Sequence, residues 1–531
     1  MPTTQKLLTA AAGSAGGDQL YVEDVFSTFL YEGSNGARTI ANGIALSDEG
    51  GLVWLKNRAL DSHVLFDTVN GSQKSLSSNS TDAGSNYSSY LSFPSAGTAG
   101  WNLAGAILNG TGTSWASWSF RKAEKFFDVV TYTGDGTSSR TIAHSLGSVP
   151  AFMTVKSSSN ISGWRTYHAS LGATKYVQLQ TNAAAATYNV WNDTTPTDSV
   201  FSISTDINAN GVTYVAYLFA SDAGGFGDDG DENIITCGSY EGNGSTTGPI
   251  INLGYEPQWI LIKDVDTGTN WTLFDSMRGM PVGGADARLF PNLNNAEADY
   301  QVLNVLPTGF QLVTDASGFN ENNKTHIYMA IRRPMKTPES GTEVFGLRNF
   351  NETNDYQQLP TGNLVDLGWE YLNSNGALFF TRMIGKGYLN PTTNGAANTS
   401  AASAFDFMDG FDPHYANNVS GFSPRMVYGF TRATGFMDVV CYTGTGSFTA
   451  LPHNLTVPPE LFISKARSAI GGWTTIYSTS SLGATSRYVS LDTNAASGNW
   501  GNAALTATTF GLSQDTAGVT YVNYLFATLA G

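Results

Sequence analysis

One pattern occurs five times along this chain, and that repetition limits what it can fold into. A Tyr-x-Gly-x-Gly turn lies at Tyr132–Gly136, Tyr240–Gly244 and Tyr442–Gly446, a longer version at Tyr31–Gly36, and a worn version begins at Phe350. The anchors step by 101, 108, 110 and 92 residues. A period of roughly 100 residues is one β-sandwich rather than one coil of a solenoid. The expected fold is all-β, a tandem array of about five β-sandwich (jelly-roll-like) modules. The boundaries read as a flexible docking arm at 1–19 and modules at 20–123, 124–222, 223–337, 338–433 and 434–531.

Further marks recur in constant order. An apolar run ends in a basic residue at Lys56, Lys156, Lys263 and Lys465, each 23 to 25 residues after the turn tyrosine. In the divergent fourth copy Arg382, 32 residues on, is taken as the counterpart. A short aromatic strand follows (His63–Asp67, Trp164–His168, Trp271–Asp275, Trp473–Tyr477), and each copy closes on alternating aromatics such as Tyr214, Tyr217 and Phe219. Charged residues are only 13% of the chain and Gly is 58 of 531, which suits many short strands joined by tight turns. In the second copy, 151–156 is apolar on both faces and reads as a central strand, while Phe201 and Ile203 share one face of a half-buried one.

Links such as Arg121–Lys125 and Arg432–Gly435 are short, so the modules are expected to be stiff neighbours. Laid in line they would span roughly 150–200 Å, and folded back they would be shorter. The sequence leaves that choice open.

Chemistry-bearing patterns are sparse. A net charge of −16 argues against nucleic acid as a partner. No apolar run is long enough for a membrane helix, and Met1–Gly17 reads as a docking arm rather than a signal peptide. Cys237 and Cys441 read as unpaired thiols. The six histidines show no metal-ligand spacing, and His144 and His453 occupy matching places in the repeat, which makes them structural. No HExxH, CxxC, GxSxG or P-loop pattern is present, and no carboxylate pair stands out. The expectation is a protein without enzymatic activity and without a required cofactor. Asp228, Asp229 and Asp231, on an acidic Gly-rich loop, are candidate Ca²⁺ ligands, although their spacing misses the Asp-x-Asp-x-Asp-Gly series. The recurring basic residue reads as a strand-end group whose stem covers apolar surface while its charge reaches solvent. Most tryptophans sit in repeat strands and read as core, with Trp101, Trp115 and Trp500 less committed.

The segment FFDVVTYTGDGTSSRTIAHSLGSVPAFMTVK, the following W-x-x-Y strand, GVTYVAYLFA, and the block GGFGDDGDENIITCGSYEGNGSTTGPIINLGYEPQWILIKD resemble modules of virion structural and tail-fibre-like proteins of marine tailed bacteriophages. The resemblance runs from about Tyr21 to Phe526 and is weakest in the fourth copy. It implies a place in the virion, with assembly in the host cytoplasm, and it supplies no catalytic residue. The fourth copy lacks the turn and carries an inserted stretch, Gly385–Asn394, so it is the expected place for a specialised contact.

Three readings follow. The first is a phage tail or appendage protein, a homo-oligomer (trimer or higher) bound to other virion proteins and supporting host attachment. The second is a lectin-like array that binds a bacterial surface glycan. The third is a polysaccharide depolymerase, whose 20–25-residue β-helix coils the long period argues against.

Overall fold

Alternating and two-faced apolar strands, punctuated by glycine turns, dictate sheets, and sheets are what the chain forms. The computed structural model describes residues 19–71, 74–86, 90–350, 359–372, 376–399, 405–413, 425–477, 487–494, 498–499, 505–512 and 515–528. Among them helical structure is confined to segments of three or four residues, and every paired strand is antiparallel to its neighbour. The docking arm and the worn turn after Phe350 lie outside the described residues.

One sheet is built five times. Its order is opening strand, closing strand, central strand, return strand. In the first unit these are Phe26–Glu32, Ser114–Arg121, Gly51–Asn57 and Val64–Asp67. In the second they are Phe127–Thr133, Thr213–Phe219, Phe152–Ser157 and Arg165–His168, and in the third Ile235–Glu241, Thr325–Arg332, Pro257–Asp264 and Thr272–Asp275. The fourth has Phe345–Phe350, Arg425–Phe430, Leu367–Leu372 and Gly376–Thr381, and the fifth Met437–Thr443, Thr520–Phe526, Leu461–Ala466 and Trp473–Tyr477. A smaller sheet accompanies each, for example Arg140–Ala143 paired with Val200–Ile203, as the two layers of a β-sandwich require.

This register corrects the reading of the fourth unit. Leu378–Arg382 is not its central strand. That role falls to Leu367–Leu372, which pairs with the closing strand, and Tyr371 there occupies the place of the recurring lysine. Arg382 follows the return strand instead.

Both faces of each main sheet are apolar. In the third unit Ile260, Ile262 and Phe274 pack with Ile251, Leu303 and Phe310 of the same unit. The alternate residues Trp259, Leu261, Leu273 and Met329 join a different core, shared with Leu52, Trp54 and Phe120 of the first unit and Phe152, Tyr217 and Phe219 of the second. Phe120 lies 5.4 Å from Phe219 and 6.0 Å from Trp259, centroid to centroid. The void left where the three sheets meet is only about 20 Å³. The first three units are therefore folded back around one axis, not strung in line.

The two glycines of the turn have different jobs. Gly136, Gly244 and Gly446 hold φ of +77°, +63° and +78°, where a side chain is strained. Gly33, Gly134, Gly242 and Gly444 instead let the loop before the closing strand come close: a Cβ on Gly134 would fall 2.1 Å from the carbonyl oxygen of Ala209. A buried asparagine plugs the turn in each of the first three units. Asn208 Oδ1 accepts from the Asp135 N–H and its Nδ2 donates to the Thr137 carbonyl, and Asn320 and Asn109 repeat the arrangement. In the fifth unit Asp515 accepts from the Thr445 and Gly446 N–H groups.

Gly134→Ala is expected to destabilise the protein by roughly 1–3 kcal/mol, the usual effect of forcing extra volume into a closed contact. Gly268→Ala, whose Cβ would meet nothing nearer than 3.8 Å, should leave the melting temperature unchanged. Thermal denaturation of both variants checks this.

Candidate functional site: the joints between repeat units

In the first, second, third and fifth units an aromatic residue stands at the start of the return strand and a lysine one residue before the end of the central strand, and both are donors. The Trp164 Nε1–H donates to the Ser77 carbonyl, that of Trp271 to the Gln178 carbonyl, and that of Trp473 to the Asn390 carbonyl, each at 2.9 Å. Each acceptor belongs to the unit before. In the first unit His63 holds this place, and its Nε2 lies 3.0 Å from the Phe290 carbonyl of the third unit. The four acceptors sit in one register, next to Leu76, Val177, Leu289 and Leu389, which pair with the return strands. Second engages first, third engages second and first engages third, so the three joints close a ring. The fifth unit engages the fourth through the same joint.

The lysines strengthen these joints. Lys156 Nζ donates to the Thr81 carbonyl at 3.2 Å, Lys263 to Asn182 at 3.4 Å and Lys465 to Asn394 at 3.4 Å, all across a unit boundary. Each also donates to the carbonyl of the residue that follows it, as does Lys56. All four are at most 1% exposed, which corrects the expectation that their charge reaches solvent. Burial pushes Lys56, Lys156 and Lys263 down to about 8. The stretch Gly385–Asn394 is likewise no insertion. It is the fourth unit's acceptor arm, which receives Trp473 and Lys465 as Ser77–Thr81 receives Trp164 and Lys156.

A second set of contacts runs the same way round. Tyr217 donates to Asp67 at 2.8 Å, the Trp118 Nε1–H donates to Asp275 at 3.0 Å, and His168 Nε2 lies 3.2 Å from the Tyr328 carbonyl. Asp67, His168 and Asp275 are equivalent by register, each ending a return strand. Ion pairs lock the seams: partly exposed Arg58 bridges Glu297 and Asp406, buried Arg432 bridges Asp438 and Glu256, and buried Arg278 holds Glu297 and Asp275 within the third unit.

The histidines belong to this framework. His144 and His453 are equivalent in structure as in sequence, each taking an N–H from two residues on at Nδ1 and placing Nε2 against a carbonyl, Thr197 or Thr506. His326 Nδ1 lies against the Lys324 carbonyl. His414 lies outside the described residues. Trp101 and Trp115 are core, whereas Trp500 lies outside the described residues.

Asp228, Asp229 and Asp231 are not brought together as ligands. Among the described residues no three His, Cys, Asp or Glu side chains gather as a metal site. Asp228 instead accepts from the Tyr21 hydroxyl, and the neighbouring Gly227 N–H donates to the Leu20 carbonyl at 2.9 Å, so the loop receives the chain's N-terminal segment. Glu232 pairs with Arg332. Cys237 and Cys441 are free.

A cleft of about 720 Å³ opens in the first unit and is lined by Asp61, Ser75, Ser77, Asn79, Ser80 and Asp82 among others. Its polar groups are hydroxyls, a carboxamide and two carboxylates, the groups that bind sugar hydroxyls. Asp61 accepts from Asn57 Nδ2 and Asp82 from Ser80 Oγ.

A family model described as Domain of unknown function (DUF7483) matches residues 22–334 and 392–531. The unmatched stretch between them holds the opening, central and return strands of the divergent fourth unit. No curated protein and no solved structure matches the chain.

Burial holds His168 down at about 4 and His63 well below its ordinary value. A histidine kept neutral by folding stabilises the fold fully above about 6.5, and that stability is lost as pH falls towards the folded value. From pH 7 to pH 5 His168 alone should therefore take away about 2 kcal/mol. His168→Gln keeps a donor for the Tyr328 carbonyl without the titration, so its stability should fall less over that range. Chemical denaturation of both proteins at the two pH values checks it; equal slopes would contradict the assignment.

Proposed function

The chain belongs to the DUF7483 family, whose description assigns no activity, and we propose that it is a non-enzymatic structural component of a tailed-bacteriophage virion. In this reading it sits in the tail or another external appendage, as a homo-oligomer bound to other virion proteins, and supports host attachment. The ring of joints is the observation that carries it. Lys156, Lys263 and Lys465, the tryptophans that open the return strands, and His63 and His168, groups that elsewhere supply chemistry or ligand contacts, here meet backbone carbonyls of neighbouring units. Such an arrangement favours rigidity, which a load-bearing appendage needs. Among the described residues no helix is long and apolar enough to cross a membrane.

The polar cleft of the first unit favours a second reading, a receptor-binding protein that takes a bacterial surface glycan. Two measurements test the pair. Quantitative mass spectrometry of purified particles should find the chain at a fixed copy number, and its absence would overturn the virion role. Purified protein added to susceptible cells before the phage should leave adsorption intact if the chain is scaffold. Blocked adsorption would favour the glycan reading.

A further inference from the structure

Each unit has two sides that take part in joints. The donor face is formed by the central, closing and opening strands, and the acceptor edge by the return strand and the arm after it. In the first, second, third and fifth units the donor face is covered. Trp54, Thr154, Leu261 and Ile463 are equivalent by register, and all are buried. Their counterpart in the fourth unit, Trp369, is 37% exposed, and Tyr371, in the place of the buried lysines, is 49% exposed. Leu347, on the same face, is also 49% exposed, whereas its counterparts Thr28, Val129 and Val439 are buried and Cys237 is half-buried.

The acceptor edges tell the same story with a different unit left over. Ser78, Leu179, Pro291 and Pro391 follow the acceptor carbonyl in the first four units and are all buried. Leu491, their counterpart in the fifth, is 42% exposed. The return strand gives a second sign: Asp67, His168, Asp275 and Thr381 are buried, while Tyr477 is only half-buried.

Among the described residues, therefore, one donor face is uncovered, on the fourth unit, and one acceptor edge, on the fifth. They match the apolar surfaces of the joint that the chain makes four times elsewhere, without its latches, because the fourth unit has Tyr371 and Ala377 at the register of Lys465 and Trp473. The two units already meet through the other pair of sides, and the uncovered face borders that contact, since Trp369 stacks on Phe379, which packs on Trp473 and Tyr524 of the fifth unit. We infer that copies of this chain associate through this joint, the fourth-unit face of one copy seating on the fifth-unit edge of another. The inference rests on the homo-oligomeric reading above and names its surface. The contact is apolar and aromatic on both sides: Trp369, Tyr371, Tyr428 and Leu347 against Leu491 and Tyr477. An uncharged patch of large side chains of this kind is typical of a protein–protein contact.

The test uses the full chain and two variants. Trp369→Asp removes the donor face and leaves the acceptor edge, and Leu491→Asp does the reverse. Sedimentation should give the natural chain a mass at least twice the 56.5 kDa of one copy. Each variant alone should return to the mass of one copy with its melting temperature unchanged. Mixed, the variants retain one good face and one good edge between them and should form a 1:1 dimer. Should Trp369→Asp unfold, Leu347→Asp on the edge strand replaces it. A natural chain that is monomeric overturns both the inference and the homo-oligomeric reading. An oligomer that both variants leave intact overturns the inference alone. Loss of association in Trp369→Asp but not in Leu491→Asp would mean that the face pairs with itself, which also overturns it.

Discussion

Every main sheet in this chain is apolar on both faces, and its own unit supplies cover for only one of them. The rest of the architecture answers that constraint. The small sheet of each unit covers one face, as Phe310 and Leu303 cover Ile260 and Ile262 in the third. The other face, carrying residues such as Trp54, Phe152 and Leu261, must be covered by other units, and three of them meet around one axis to do so. A fully buried large side chain contributes roughly 1.5–3 kcal/mol, whereas one hydrogen bond contributes roughly 0.5–1.5 kcal/mol net. Adhesion between units therefore comes from the aromatic faces. The indole and ammonium latches add less energy and fix register, because a sheet that slid would leave Lys156 or Lys263 buried without its carbonyls.

The same comparison explains why buried lysines are tolerated in a chain with so few charges. Each is satisfied by two or three backbone carbonyls, and burial still holds three of them down at about 8. Carbonyl acceptors carry no counter-charge, so the pattern can recur without adding ion pairs. Ion pairs between units are made elsewhere, by Arg58 with Glu297 and Asp406, by Arg432 with Glu256 and Asp438, and by Lys122 with Asp128.

Much of the fold was legible in the sequence because repetition multiplies a weak signal. The turn glycines, the two-faced central strand at 151–156 and the strand with Phe201 and Ile203 lie where the pattern placed them, although Ser202 and Ser204, expected on an open face, are buried too. The joints were not legible, for a physical reason: their acceptors are backbone carbonyls, which have no residue signature. Lys156 and Trp164 were visible as recurring letters, but nothing in the sequence shows what they donate to. The turn asparagines could have been found, since Asn109, Asn208, Asn320 and Asp515 each lie five residues before a closing strand. The fourth unit misled because register, not spacing from the turn, identifies its central strand, and only pairing with Arg425–Phe430 reveals it. The Asp228 loop misled in another way, since acidic residues close in sequence need not converge in space.

The central claim is that the units fold back on one another rather than extend. Small-angle X-ray scattering from the Trp369→Asp chain, in which contact between copies is removed, tests it most directly. A folded-back chain of this length should give a radius of gyration near the compact-domain value of about 24 Å. A value of about 45–60 Å, as expected of a rod roughly 150–200 Å long, would contradict the ring.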